Sequence, residues 1–221
     1  MRDAANNSGY YAAIAERIAA YLPPSSWVFD AGGGLGDLAI WLSYHLRHVT
    51  VIERDPKAVA VFRERCPQNV TALLGDVFSY VPDKLFDALA LCFFGKPKEI
   101  LQLSRELTRG KTFVVQSTES KRGFSPDGTG RRSITIYDME EELKKQGVAY
   151  SLEVFEAEHG QPFRSAEDAA RFFTFYSDTP YSVQQARAYL TETGDDALPL
   201  YYAQKRSLGM IVFDAGKACA D

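Results

Sequence analysis

The chain has 221 residues, 46% apolar and 24% charged, with 25 Lys and Arg against 29 Asp and Glu for a formal net charge of −4. That mix excludes a disordered, collagen-like or disulfide-scaffold protein, and it lacks the bulk positive charge of a general nucleic-acid binder. Cys66, Cys92 and Cys219 have no metal-ligand spacing, so reduced thiols are expected, and no apolar run approaches the roughly 20 residues that cross a bilayer.

Residues 1–7 hold no apolar core of signal-peptide type, so a cytoplasmic location is expected. Residues 8–21 read as an amphipathic helix, with Ser8 as cap and Pro23-Pro24 as stop. Trp27 to Asp30 is a short apolar run ending in glycines, which predicts a buried strand. A helix over 37–47 and a strand over 49–53 follow. Asp55 as cap and Pro56 at the first helical position open the next helix, which Pro67 closes. Residues 70–74, 86–92 and 112–116 read as strands, with a helix over about 97–107. Short buried strands alternating with helices predict an open parallel sheet covered on both faces. Beyond residue 117 the pattern changes. A Gly-rich polar loop, 117–132, precedes a helix near 137–146, a strand near 148–156, helices near 165–177 and 180–193, and a last strand near 208–213.

The densest chemistry lies in Asp30-Ala31-Gly32-Gly33-Gly34-Leu35-Gly36-Asp37, between a predicted strand and a predicted helix. Glycines at 32, 34 and 36 allow a sharp turn and close approach of backbone to a ligand. A dinucleotide fingerprint wants glycine at the first, third and sixth positions; counted from Gly32 the sixth is Asp37, a poor neighbour for pyrophosphate. Acids end three successive strands: Asp30, suited to a cationic amino group, Glu53, suited to ribose hydroxyls, and Asp76 in Gly75-Asp76-Val77.

Over residues 26–116 this pattern resembles the class I S-adenosylmethionine-dependent methyltransferases. The resemblance implies a doubly wound, Rossmann-like α/β sheet of seven strands, mostly parallel with the last antiparallel. It also implies S-adenosyl-L-methionine as cofactor. Gly32, Gly34 and Gly36 would lie under the methionine moiety, Glu53 would hold the ribose diol, and Asp76 with the Val77 amide would read the adenine. Arg54 would flank the adenine, where the family usually has an apolar residue, so it would stack by its guanidinium plane. Asp30 and Cys92, at the tips of the first and fourth strands, complete the expected cofactor set.

The same topology puts the start of the first helix and the connection over about 160–205 on the ligand side. That connection is too long for a hairpin and is expected to be a helical cap within a single domain, 1–221. Tyr10, Tyr11, Phe94 and Tyr176 are the candidate substrate residues. His159, with its near-neutral ordinary pKa, is the candidate general base. Lys121, Arg122, Arg131 and Arg132 are loop cations that keep the segment solvated or recruit an anion. Cys92-Phe93-Phe94-Gly95 lacks the Asn/Asp-Pro-Pro-aromatic run of exocyclic-amine enzymes, and no carboxylate cluster suits magnesium. The reading is methyl transfer to a small molecule at oxygen, nitrogen or carbon, with no membrane partner. Three alternatives stay open. One is an RNA methyltransferase, since residues 25–81 are similar to the rRNA dimethyltransferases; the others are a non-catalytic cofactor-binding module and, more distantly, a nicotinamide oxidoreductase.

Overall fold

The computed structural model describes residues 9–120 and 134–217. Ser8, the four loop cations and Cys219 lie outside the described residues. The elements in chain order are Tyr10–Ala19 (α1), Trp27–Ala31 (β1), Asp37–Ser43 (α2), His48–Glu53 (β2), Pro56–Arg63 (α3), Val70–Leu74 (β3) and Phe86–Cys92 (β4). Pro97–Leu107 (α4), Thr108–Ser117 (β5), Ile136–Lys145 (α5) and Tyr150–Glu158 (β6) follow. The remainder is Gln161–Phe163 (β7), Ala166–Tyr176 (α6), Val183–Arg187 (α7), Thr191–Glu192 (β8), Leu200–Tyr202 (β9) and Lys205–Asp214 (β10).

Seven strands form one sheet in the order β3-β2-β1-β4-β5-β10-β6. The β1–β2, β2–β3, β1–β4 and β4–β5 pairs are parallel, and β10 runs antiparallel to β5. The central strands are nearly continuous apolar runs because helices cover both faces; Phe29, Leu89, Leu91 and Val114 have essentially no exposure. Local chemistry sets the helix starts. The Asp55 carboxylate accepts from the Lys57 N–H at 2.9 Å with Pro56 at the first position of α3. Glu99 returns to the Lys96 N–H at 2.8 Å at the start of α4. The strand order reverses at β1, going outward to β2 and β3 on one side and to β4 on the other. In open α/β sheets the ligand crevice opens at the carboxyl ends of such strands.

The described residues group into two compact units, one of residues 11–118, 135–155 and 208–217, the other of residues 9–10, 119–120, 134 and 156–207. The first contains the sheet's main core. The second has its own core of Phe163, Ala169, Ala170, Phe173, Leu190 and Leu200, and a three-stranded sheet in the order β7-β9-β8. The helix expected over 165–177 is present as α6, but the connection over 160–205 is not wholly helical. Of the helix expected over 180–193, only Val183–Arg187 is helical, and the short strand β8 occupies part of the rest. The reason lies in the connection between β8 and β9. Gly194 turns with a φ of +77°, and the Asp195 carboxylate accepts from the Ala197 and Leu198 N–H groups. That turn brings Thr191 and Glu192 beside Tyr201 and Leu200. Pairing with a neighbouring strand overrides the local helical preference.

Candidate functional site

The glycine turn leaves β1 with left-handed backbone at Gly32, Gly34 and Gly36, whose φ angles are +72°, +56° and +79°. Side chains at these positions would be strained by backbone alone. Two would also collide: a Cβ on Gly32 would lie 2.2 Å from the Phe94 ring, and one on Gly36 would lie 2.2 Å from Phe62. The Ile52 carbonyl at the end of β2 accepts from the Gly32 and Gly33 N–H groups at 3.0 and 3.2 Å.

Glu53, at the tip of β2, is oriented by three backbone donors. Its Oε2 accepts from Gly34 N–H, and its Oε1 from Arg54 and Asp55 N–H, all at 2.9 Å. An ionised carboxylate offers about four acceptor positions, so one remains, on Oε2, for an outside hydroxyl. At the tip of β3, Asp76 accepts from Phe78 N–H at 3.0 Å and opens a short 3-10 turn, Val77–Ser79.

These tips border a cleft of about 330 Å³. Gly32, Glu53, Arg54, Asp76, Val77 and Phe94 all line it, so six of the residues singled out in the sequence share one cavity. Phe78, Lys96 and Glu99 also line it and were not anticipated. Phe78 directly follows Asp76-Val77, which was the available signal. Its ring faces that of Phe94 at 6.3 Å between centroids and 27° between planes. The Phe94 position depends on a left-handed Phe93, with a φ of +55°, which no sequence pattern announces.

Gly34, Gly36, Asp30 and Cys92 do not border the cleft. Asp30 lies behind the turn, 1% exposed, with its Oδ2 directed toward Gly33 and without a hydrogen-bond partner among the described residues. Burial, with the charge of Glu53 beside it, pushes its carboxyl up to about 7. Burial and Asp30 in turn hold the Cys92 thiol well above its usual range.

His159, Tyr10 and Tyr176 belong to the second unit. His159 meets Tyr10 edge to face, with centroids 4.3 Å apart, and Tyr176 lies against Phe172. Tyr11 is half-buried on α1 in the first unit. Burial, reinforced by Arg206, pushes the His159 imidazole down to about 3. It is therefore neutral at physiological pH and a weak proton acceptor, which counts against the general-base role expected from its ordinary titration. No group of three or more His, Cys, Asp or Glu that could hold a metal ion occurs among the described residues. No described helix is long and apolar enough to cross a membrane.

No family model and no curated protein matches the chain. Solved structures do. Magnesium protoporphyrin IX methyltransferase from Synechocystis PCC 6803, solved with bound SAH, aligns with a TM-score of 0.52 at 14% identity, over 91% of this chain and 82% of that one. Precorrin-6y C5,15-methyltransferase from Geobacter metallireducens aligns with a TM-score of 0.54 at 13% identity, over 92% of this chain and 88% of that one. A candidate RNA methyltransferase from Pyrococcus horikoshii gives 0.54 at 14% identity, over 92% and 82%. At such identities the likeness is one of fold: this chain has the doubly wound sheet of the class I S-adenosylmethionine-dependent methyltransferases.

Proposed function

We infer that the cleft at the tips of β1, β2 and β3 binds S-adenosylmethionine and that the protein transfers its methyl group to a small organic acceptor. The observation that carries this reading is the Glu53 carboxylate, fixed by three backbone N–H groups at the cleft wall with one acceptor position left over. Among uncharged ligand groups, a hydroxyl such as that of a ribose suits that position. Asp76 and the Val77 amide offer an acceptor and a donor to a purine edge, Arg54 and Phe78 offer flat faces, and Gly32, the turn glycine that lines the cleft, is left for the amino-acid end. When bound, the cofactor supplies an electrophilic methyl group on a sulfonium. The chain's own contribution is orientation and exclusion of water, which together can be worth up to ~7–11 kcal/mol. A base is required only where the acceptor atom carries a proton, and neutral His159 is poorly suited to that step.

A small acceptor is supported by the acidic balance of the chain and by two fold neighbours named for small organic substrates, a precorrin and magnesium protoporphyrin IX. The test is calorimetric titration with S-adenosylhomocysteine. Wild type is expected to bind, and Glu53→Ala to bind about tenfold more weakly or worse, the loss expected for a hydrogen bond to a charged group. Wild type that ignores this nucleoside and takes up NADH instead would overturn the assignment.

A further inference from the structure

The glycine turn is held at its two ends by different parts of the chain. Its entrance is fastened by β2, through the Ile52 carbonyl and the Glu53 carboxylate. Its exit has no such support from the sheet. Gly36, which leads into α2, is left-handed and carries no side chain to cap the helix. The exit is instead held by residues at the end of α3. Phe62 fills the space beside Gly36, and Arg65, three residues later, donates from one Nη2 to both the Leu35 carbonyl and the Asp37 carboxylate at 2.6 Å each. The Arg65 and Asp37 side chains are only 20% and 12% exposed, so this is not the solvent-screened surface pair that contributes little. Asp37 does not line the cleft and is engaged by Arg65.

The geometry points to Arg65 as a positioning residue for the cofactor, a role that rests on the cofactor site proposed above: by locking the exit of the glycine turn it holds Gly32 and, through the Gly34 N–H, Glu53 where they line the cleft. A site built on such a turn binds tightly only when its shape exists beforehand, because ordering it during binding subtracts from affinity. Freeing the Leu35 carbonyl and the Asp37 carboxylate together would impose that cost, with no loss of any group that touches the ligand.

The experiment compares wild type, Arg65→Met, Arg65→Lys and Asp37→Asn by calorimetry with S-adenosylhomocysteine, alongside amide hydrogen exchange over residues 33–38. Arg65→Met should weaken binding by about tenfold or more and speed exchange across the turn. Arg65→Lys, which keeps the charge although its ammonium ends one bond short of the Nη2 position, should recover part of the affinity, and Asp37→Asn should fall between wild type and the methionine variant. Should Arg65→Met fail to fold, the lysine and asparagine variants decide the matter by the same ordering. Equal affinity in wild type and the methionine variant overturns the role. So does a loss that lysine does not rescue and that merely tracks a fall in melting temperature. Wild type that does not bind the nucleoside at all removes the cofactor site itself, and this proposal with it.

Discussion

A carboxyl group with 1% exposure and an unpartnered oxygen destabilises the folded chain whenever it ionises, and Asp30 is such a group. Its folded-state value of about 7 lies above the unfolded value of roughly 3.9. Below pH 4 the acid is protonated in both states and costs nothing by linkage. As pH rises from 4 to 7 the unfolded chain releases the proton and the folded chain keeps it, so stability falls; above 7 the loss levels off. The separation corresponds to about 4 kcal/mol, an order-of-magnitude figure. Asp30→Asn removes the titration, so urea melts of variant and wild type should diverge between pH 5 and pH 8, in the variant's favour. A constant difference across that range would show that the carboxyl ionises normally.

The strand tips and the glycine turn were legible in the sequence because their signals are local. An apolar run of five residues ending in an acid reads as a buried strand reaching the sheet's edge, and alternate glycines read as left-handed backbone. What stayed hidden depends on distant partners. Asp30 follows Phe29 along a strand, so the two side chains face opposite sides of the sheet, and only the packed structure shows that Asp30 lies under Gly33 rather than in the cleft. Arg65 acts 28 and 30 residues back along the chain, beyond any periodicity. The strands at 191–192 and 200–202 exist by pairing rather than by propensity. The turn itself supplies a test of such long-range packing. Gly36→Ala combines left-handed strain with collision against the Phe62 ring and should cost about 2–4 kcal/mol in urea unfolding. Gly34→Ala has comparable backbone geometry but open space around its Cβ, so only the strain of about 1–2 kcal/mol applies. Equal losses would mean that contact between α3 and the turn does not set the start of α2.

Charge decides which acceptors the protein can approach. The chain carries a formal net charge of −4, and the cleft is lined by three carboxylates, Glu53, Asp76 and Glu99, against two cations, Arg54 and Lys96. A nucleic acid binds mainly by exchanging condensed counterions for Lys and Arg, with an affinity that falls steeply as salt rises. A site where carboxylates outnumber cations cannot draw on that term, whereas a compact uncharged or cationic acceptor needs none of it. The four cations between residues 121 and 132 are the strongest basic cluster in the sequence and the natural place for any RNA contact. Fluorescence anisotropy with a labelled RNA hairpin therefore separates the two acceptor classes. At about 0.15 M salt no binding is expected in the micromolar range, with or without S-adenosylhomocysteine, and replacing Lys121, Arg122, Arg131 and Arg132 by glutamine should change nothing in that assay. Tight binding that weakens steeply with salt and disappears in the glutamine variant would move the proposed acceptor from a small molecule to RNA, while leaving the proposed cofactor cleft untouched.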